Sequence, residues 1–206
     1  METSAQSARR DMALASLGLG TSSVVPRSQL TPKLIVRESP IAGFGLYAVD
    51  RIELGEVCCR LAGRRMSDEE FGRYIAGRDH YNAFTIDEGV NVLQAEDDPT
   101  TKGNHSCDPN TYVKTIASKR LVLALRDIAT GEEITYDYCI NGSGDTVWTC
   151  ACGASRCRHM IHSDFFHLPV ELQCAYLRLL DDWFRQERTA EISGLQTVLS
   201  GKSTAP

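Results

Sequence analysis

The sequence has no excess of positive charge. Its 206 residues contain 22 Lys and Arg against 27 Asp and Glu, a formal net charge of -5. Proteins that bind mainly nucleic acid usually carry a basic face and a high pI, whereas the pI here is ≈ 5.6. Direct nucleic-acid binding is therefore not expected, and the mildly acidic balance favours a basic partner.

Long hydrophobic runs and internal repeats are also missing. The apolar stretch at residues 12–20 is shorter than the roughly 20 residues that a membrane helix needs. Arg9 and Arg10 precede it as in a signal peptide, but Asp11 interrupts the basic flank and no cleavage site follows. We therefore predict no membrane association. The absence of a repeat excludes solenoids and propellers.

The composition is that of one globular domain with irregular ends. Hydrophobic residues make up 42% and charged residues 24% of the chain, both ordinary values. Ser, Gly and Ala dominate the two ends, which is typical of mobile termini. We predict five segments: a disordered arm at 1–32, a folded domain at 33–140, a cysteine-rich loop at 141–162, a helical segment at 163–193 and a disordered tail at 194–206.

Short strands dominate the predicted domain. Apolar, β-branched runs predict strands at 34–36, 46–49, 57–61 and 134–138. Two hairpins are predicted as well, one around Asp87-Glu88-Gly89 and one around residues 117–120. Because helices are few and no strand–helix–strand alternation occurs, the pattern predicts a mostly-β fold.

Two helices are predicted. Ser67 and Glu70 form a capping box for a short internal helix that ends near Gly77. Pro169 suits the first position of a C-terminal helix, whose apolar stripe includes Leu172, Leu179 and Trp183. This stripe predicts a helix that docks on the domain; a dimer contact is the alternative.

One polar turn is the densest group of candidate functional side chains. It reads Asn104-His105-Ser106-Cys107-Asp108-Pro109-Asn110. Asp-Pro followed by Asn is turn chemistry, so the run is not expected inside a helix. Side chains packed this closely in a turn can converge on one ligand. A solvated surface turn is the alternative.

Three thiols within eight residues, Cys150, Cys152 and Cys157, indicate a metal site. Thiolates this close repel each other unless a cation such as Zn²⁺ neutralises them. A tetrahedral site needs a fourth ligand, for which the candidates are Cys107, Cys139 and His159. Unpaired or oxidised surface thiols are the alternative. The other three cysteines, Cys58, Cys59 and Cys174, are expected to act as core residues.

The order of the motifs resembles a SET-domain protein-lysine methyltransferase with a post-SET zinc loop. The resemblance rests on Gly43-Phe44-Gly45, the polar turn, the segment from Gly131 to Tyr138, and the cysteine cluster, and it covers residues 34–160. No pre-SET region precedes it, as in small bacterial members. It implies a β-clip fold of small curved sheets, in which the strand around 134–138 passes beneath the polar turn as a pseudoknot.

The resemblance also implies roles for individual residues. The cofactor S-adenosylmethionine would contact Gly43, Phe44, Gly45, Tyr81, Asn104, His105 and Tyr138. The catalytic group would comprise Tyr138, Tyr136, which limits the number of methyl groups, and Tyr81 in the lysine channel. Structural Zn²⁺ would be held by Cys107, Cys150, Cys152 and Cys157. Trp148 or Phe165 is a candidate to cover the adenine.

The activity implied is mono- or dimethylation of a lysine side chain in a protein or peptide, which is possibly basic. The resemblance to small bacterial members implies a cytoplasmic protein, with a nuclear or host-delivered protein as the alternative location. We expect a monomer or a weak dimer. Two departures from the family pattern are visible: Leu61 stands where a site tyrosine is common, and Thr101-Lys102-Gly103 precedes Asn104. They keep open a non-catalytic SET-like module that binds cofactor. A zinc-loop protein that binds nucleic acid is a further alternative.

Overall fold

The computed structural model describes residues 25–78 and 81–202, and over these ranges thirteen short strands form four small sheets. The prediction of a mostly-β fold is confirmed. The first sheet has the order β1-β4-β10-β9, formed by Gln29–Leu30, Val57–Leu61, Lys119–Ala124 and Thr111–Ile116. The second has the order β2-β3-β11-β8, formed by Leu34–Glu38, Phe44–Ala48, Glu133–Tyr136 and Asn104–His105.

The two remaining sheets flank this centre. The third has the order β5-β7-β6, formed by Arg64–Ser67, Val90–Leu93 and Ala83–Asp87. The fourth is a ribbon in which β12, Ser143–Thr149, pairs antiparallel with β13, Met160–Asp164. The predicted cysteine-rich loop at 141–162 is therefore largely a β-ribbon, and its three cysteines lie in the turn between β12 and β13.

The internal helix α1, Asp68–Ile75, is capped as its sequence predicts. The Glu70 N–H donates to Ser67 Oγ over 3.2 Å, and the Ser67 N–H donates to Glu70 Oε2 over 2.9 Å. Gly77, which follows the helix, has a φ of 73°. This left-handed conformation suits glycine, because it has no Cβ to clash.

The C-terminal segment differs from its prediction. Instead of one helix, it contains α2 at Val170–Tyr176, α3 at Asp182–Glu187 and α4 at Thr189–Lys202. The predicted tail from residue 194 is wrong up to Lys202, where α4 ends. Ile192 and Leu195 of α4 are only 5% and 8% exposed, so their burial stabilises helix in a Ser- and Gly-rich stretch. Residues 203–206 lie outside the described residues.

The predicted N-terminal arm is too long. Gln29 and Leu30 pair with Arg60 and Cys59 of β4, and Ser28 Oγ accepts a 2.8 Å hydrogen bond from the Ala62 N–H. Regular structure thus begins before residue 33, because the open edge of β4 offers backbone partners. The arm's first 24 residues lie outside the described residues.

The second hairpin is tighter than predicted. The β9–β10 turn is only Ala117-Ser118, not four residues, and both have positive φ, 48° and 60°. Two positive φ values define a type I′ turn, for which Asn-Gly is the usual signal. That signal is missing here, so the sequence pattern did not reveal the turn.

Two apolar cores stabilise the domain. One lies under the first two sheets and contains the buried residues Leu46, Ile52, Cys58, Cys59, Val122, Ile128 and Ile134. The other joins the β12–β13 ribbon to the C-terminal helices through Ile161, Phe165, Leu180, Trp183 and Phe184. Cys58 and Cys59 are core residues as expected, whereas Cys174 is half-buried. In the described ranges, no helix has the length and apolarity required to cross a membrane.

A buried carboxylate fixes the C-terminal helices to the first sheet. Asp181 is fully buried; it accepts hydrogen bonds from the Thr115 N–H over 2.7 Å and from Trp183 Nε1–H over 3.1 Å. It also pairs with the guanidinium of Arg120. The predicted docking of this segment on the domain is thus anchored by a charge as well as by apolar contacts.

Removal of this carboxylate should destabilise the fold. Asp181→Ala leaves Arg120 buried without its ion pair, so we expect the free energy of unfolding to fall by about 3–5 kcal/mol. Urea unfolding followed by circular dichroism measures the change. Exposed Asp182 is the control, and Asp182→Ala should change the value by about 0.5 kcal/mol. Equal effects of the two substitutions would contradict the anchoring role.

Candidate active site and cysteine cluster

The polar turn and strand β11 are held side by side by a short parallel pairing. Thr135 lies opposite Asn104 and Tyr136 opposite His105, and the Ser106 N–H donates to the Tyr136 carbonyl over 3.2 Å. The other edge of β11 pairs antiparallel with β3 through Ile134 and Leu46. The two stretches therefore meet, as the predicted pseudoknot requires.

The side chain of Asn110 extends this pairing. Its Nδ2 donates to the Glu133 carbonyl over 2.8 Å, and its Oδ1 accepts from the Thr135 N–H over 2.9 Å. The Thr111 hydroxyl donates to the Thr135 carbonyl over 2.8 Å. The Asn110 amide thus replaces a strand backbone, a role that its place in a turn did not reveal.

Asn104 connects the Gly43-Phe44-Gly45 loop to β11. Its Nδ2 donates to Glu133 Oε1 over 2.7 Å, to the Phe44 carbonyl over 3.0 Å and to Ser39 Oγ over 3.2 Å. A Cβ at Gly45 would lie 2.2 Å from Glu133 Oε1, so this glycine permits the approach of a carboxylate. Glu133 and Ser39 were not among the predicted site residues, although Glu133 lies within the motif after Gly131.

Four aromatic side chains contact one another beside the pairing of β8 with β11. The ring centroid of Tyr138 lies 5.0 Å from Tyr136, 5.3 Å from His105 and 6.1 Å from Trp148. His105 also contacts Trp148 edge-on at 5.8 Å. The structure therefore brings together Tyr136, Tyr138 and His105 as predicted, and it places Trp148 rather than Phe165 among them, because Phe165 is fully buried in the second core.

The Tyr138 hydroxyl has a defined partner. It donates to the carbonyl of Gly103 over 2.7 Å, and burial raises its pKa to about 12. Burial also raises the pKa of Tyr136 well above its usual value. Both hydroxyls therefore keep their protons at neutral pH. A Cβ at Gly103 would lie 2.8 Å from Tyr136 Cε1, so this glycine lets the ring pack against the turn.

Two predicted site residues lie apart from this cluster. Tyr81 is 44% exposed, and in the described part of the chain its ring contact is with Phe71 of α1, edge-on at 5.5 Å. The Phe44 side chain is 52% exposed, while its carbonyl accepts from Asn104. Gly43 has a φ of 47°, which glycine adopts without strain.

The four predicted zinc ligands form a compact cluster. The sulfurs of Cys107, Cys150, Cys152 and Cys157 all lie within 4.8 Å of one another, and the Cys107 and Cys150 sulfurs are 3.8 Å apart. Tetrahedral zinc, with Zn–S bonds of about 2.3 Å, requires sulfurs about 3.8 Å apart. The donor set and spacing fit this metal. Of the three candidates for the fourth ligand, the structure brings Cys107 to the cluster.

The other two candidates lie outside the sulfur cluster. The Cys139 thiol donates to the His162 carbonyl over 3.0 Å, and His159 is exposed. All eight cysteines carry free thiols. Burial raises the pKa of the Cys107 thiol, so four thiolates in this space require a cation between them.

Several N–H groups point at these sulfurs. The Arg158 N–H donates to Cys107 Sγ over 3.3 Å, the Cys107 N–H to Cys152 Sγ over 3.5 Å and the His159 N–H to Cys157 Sγ over 3.4 Å. Such hydrogen bonds favour the thiolate form. The cluster is therefore arranged for charged sulfur ligands.

His105 connects the sulfur cluster to the tyrosines. Its Nδ1 accepts from the Tyr138 N–H over 3.2 Å, so Nε2 carries the proton and faces Cys107 Sγ at 3.5 Å. Burial lowers its pKa to about 4, which keeps the ring neutral. The imidazole is thus a hydrogen-bond bridge, a contact that the sequence motif alone did not show.

A second connection is an ion pair that sequence reasoning missed. Arg158 donates to both oxygens of Asp137, over 2.7 and 2.9 Å. Asp137 is 2% exposed and also accepts from the Cys139 N–H over 3.1 Å. Because Asp137 lies between the two site tyrosines and Arg158 follows a cluster cysteine, this pair couples the cysteine loop to the aromatic cluster.

Comparison with known proteins agrees with this architecture. Residues 43–139 match the family described as the SET domain. "Probable histone-lysine N-methyltransferase set-23" of Caenorhabditis briggsae is 30% identical over 65% of this chain and 62% of its own length. "Histone-lysine N-methyltransferase, H3 lysine-4 specific" of Saccharomyces cerevisiae is 31% identical over 75% of this chain and 16% of its own. Residues 43–139 of the chain therefore form a SET domain.

A solved structure shares the fold. The methyltransferase domain of human histone-lysine N-methyltransferase SETMAR superposes with a TM-score of 0.55 and 23% identity over 66% of this chain and 60% of that one. "Histone-lysine N-methyltransferase trithorax" of Drosophila virilis is 36% identical over 62% of this chain, but over only 4% of its own length. The chain thus spans less than two thirds of the length of these relatives.

Loss of the buried ion pair should destabilise the folded domain. Arg158→Met leaves the Asp137 carboxylate buried without its partner, and we expect the free energy of unfolding to fall by about 3 kcal/mol. Its neighbour Arg156 also pairs with an aspartate, but its side chain is 74% exposed. Arg156→Met should therefore cost less than about 1 kcal/mol. Urea titration of both variants measures the difference, and similar losses would refute the coupling.

Proposed function

We propose that this protein transfers a methyl group from S-adenosylmethionine to the side-chain amine of a lysine in a protein or peptide. The observation that carries the proposal is the Tyr138 hydroxyl bonded to the Gly103 carbonyl, directly beside the Asn104–His105 pairing with β11. The SET domain at residues 43–139 and relatives named as histone-lysine N-methyltransferases support it.

The reaction requires a neutral amine. A free lysine, with a pKa of about 10.4, is almost fully protonated at neutral pH and is not nucleophilic. Tyr136, Tyr138 and Trp148 form an aromatic wall that would desolvate the ammonium and lower its pKa. S-adenosylmethionine, when bound, supplies the methyl group on a positively charged sulfonium. Water can then remove the proton from the amine, so no side chain needs to act as a dedicated base.

Tyr138 would orient the amine rather than deprotonate it. With a pKa raised to about 12, its hydroxyl keeps its proton and donates it to the Gly103 carbonyl. Its oxygen also interacts with the Tyr136 hydroxyl and can still accept one hydrogen bond from the nucleophile. Alignment of the reacting atoms is the largest contribution expected from the protein in a displacement of this kind.

The cofactor would lie against the Gly43-Phe44-Gly45 loop and the Asn104–His105 strand. Because the Asn104 amide nitrogen already donates to the surrounding chain, we expect its contact with the cofactor to use its remaining oxygen or the backbone. Trp148, which contacts the His105 ring edge-on, would cover the adenine. Tyr81 remains a predicted contact of the cofactor. Because its ring lies against Phe71, it would have to move toward the other site tyrosines to make this contact.

The four clustered cysteines would hold one structural zinc ion. They would use thiolate ligands, with backbone N–H groups and His105 as outer hydrogen-bond donors. The ion would fix the cysteine loop beside the aromatic cluster. Tyr136, with its ring packed against Gly103, would leave room for mono- or dimethylation.

Tyr138→Phe is the direct test of the catalytic assignment. The change removes one hydroxyl and keeps the ring, so we expect S-adenosylmethionine binding to persist and kcat to fall at least about tenfold, equivalent to about 1.4 kcal/mol of lost alignment. Radiolabelled methyl transfer to a lysate, followed by mass spectrometry of the modified lysines, measures activity. Titration calorimetry measures cofactor binding.

Tyr74→Phe is the matched control, because this tyrosine lies on α1 beneath Arg78 and should leave kcat unchanged. Full activity in Tyr138→Phe would remove Tyr138 from the mechanism. A wild-type protein that binds S-adenosylmethionine but methylates no lysate protein would instead favour the non-catalytic SET-like module.

Metal analysis tests the zinc site. We expect about one zinc per chain by native mass spectrometry, and loss of the metal in Cys150→Ser because three ligands leave the tetrahedron incomplete. Cys174→Ser, which alters a half-buried cysteine outside the cluster, should retain it. A reduced wild-type protein that is purified in zinc-containing buffer without bound metal would contradict the assignment.

A further inference from the structure

One cavity is lined by none of the site tyrosines or clustered cysteines, although its wall includes Leu61, which stands where the family often has a site tyrosine, and Arg120, whose charge acts on Tyr136. Its volume is about 450 Å³, within the range of small-molecule sites. It opens where the β4–β5 junction, the β6–β7 hairpin and the tip of the β9–β10 hairpin meet. Five cations, Arg60, Arg64, Arg65, Lys119 and Arg120, line it, and we call it the basic pocket.

The charge of this pocket is opposite to that of the whole chain. The protein carries a net charge of -5, yet no aspartate or glutamate is among the residues that line the pocket. Within the described ranges, only Arg120 of the five cations has an ion-pair partner, Asp181. In the described residues the other four cations have no carboxylate within ion-pair distance, although Arg64 is near enough to Glu70 to lower the pKa of that carboxyl.

One of the cations is buried with a donor left over. Arg120 is 7% exposed, and its Nε has no hydrogen-bond partner in the described part of the chain. The Nε of Arg60 is also buried without a partner. A buried donor without a partner is costly, so these two guanidinium groups favour a ligand that supplies acceptors.

The remaining wall is apolar. Leu61, Phe84, Ile86 and Val92 contribute it, and Phe84 lies under the Arg120 guanidinium, 5.7 Å from its ring centroid. A site with several cations and an apolar wall selects a ligand that has both a multiply charged head and a hydrophobic body. An inorganic anion would contact the cations and leave the apolar wall without a partner.

From these observations we infer that the basic pocket binds the phosphoryl group of an organic phosphate. A phosphate monoester carries close to two negative charges at pH 7 and three strong acceptor oxygens. Arginine is well suited to bind it, because its planar guanidinium forms paired hydrogen bonds with phosphate. A carboxylate carries one negative charge and would therefore offset less of the positive charge of the pocket than a phosphate monoester does. This inference does not depend on the proposed methyl transfer.

Phenyl phosphate is a suitable probe, since it combines a phosphoryl group with an apolar ring and lacks the adenosine that could occupy the proposed cofactor site. Titration calorimetry of the full chain should give saturable one-site binding. We expect benzoate, with one charge, and inorganic phosphate, without the ring, to bind at least about tenfold more weakly. Equal affinity for benzoate would overturn the phosphoryl assignment.

Arg64 and Lys119 are exposed, so their substitution tests the pocket without changing the buried ion pair of Arg120 and Asp181. The double variant Arg64→Gln/Lys119→Gln should weaken phenyl phosphate binding by roughly tenfold or more, because charge-assisted hydrogen bonds are lost. Arg178→Gln removes an exposed positive charge elsewhere and should bind as the wild type does. Thermal melting verifies that each variant folds. No binding at millimolar probe, or equal weakening in both variants, would overturn the inference.

The source of the phosphoryl group is distinguished by a second probe. A short phosphotyrosine peptide that binds at least about tenfold more tightly than phenyl phosphate, and loses this affinity in the double variant, would identify a phosphorylated protein segment. Affinity equal to or lower than that of phenyl phosphate would identify a free small organic phosphate. Both results support phosphoryl recognition, and absence of binding by either probe contradicts it.

Discussion

The short parallel pairing of strands β8 and β11 is the contact on which the rest of this structure depends. Asn104 and His105 lie parallel to Thr135 and Tyr136, and the amide of Asn110 lengthens the ladder from the same turn. This contact joins stretches about thirty residues apart and places the Asn104 amide, the His105 ring and the Tyr138 hydroxyl on one small surface. So short a ladder is weak alone, which explains why side chains reinforce it.

The cysteine loop and this ladder stabilise each other. Asp137, between the two site tyrosines, receives Arg158 from the loop, while His105 bridges Tyr138 and Cys107. The first core packs under Tyr136 and the second contains Cys107 and Cys139. The chain thus crosses from one core to the other at the proposed active site. We expect any change that loosens the loop to displace the tyrosines as well.

The sequence predicted the local elements well where turn and cap chemistry were explicit. The capping box of Ser67 and Glu70 and the hairpin at Gly89 are confirmed. The turn at Ala117-Ser118 lacked a glycine signal, strand β1 depends on the open edge of β4, and helix α4 depends on the burial of Ile192 and Leu195. In each of these cases a tertiary contact overrides a weak or contrary local preference.

By itself, the sequence determined which residues can do chemistry: three thiols crowded near one turn, two tyrosines two residues apart, and a polar turn with a fourth thiol. These follow from residue type and spacing, which are local properties. Only the tertiary structure decided that Cys107 rather than Cys139 or His159 joins the sulfurs, that Glu133, Asp137 and Arg158 hold the site, and that Tyr81 lies apart. Those outcomes depend on distances between residues far apart in the chain, and such distances are set by packing and strand pairing.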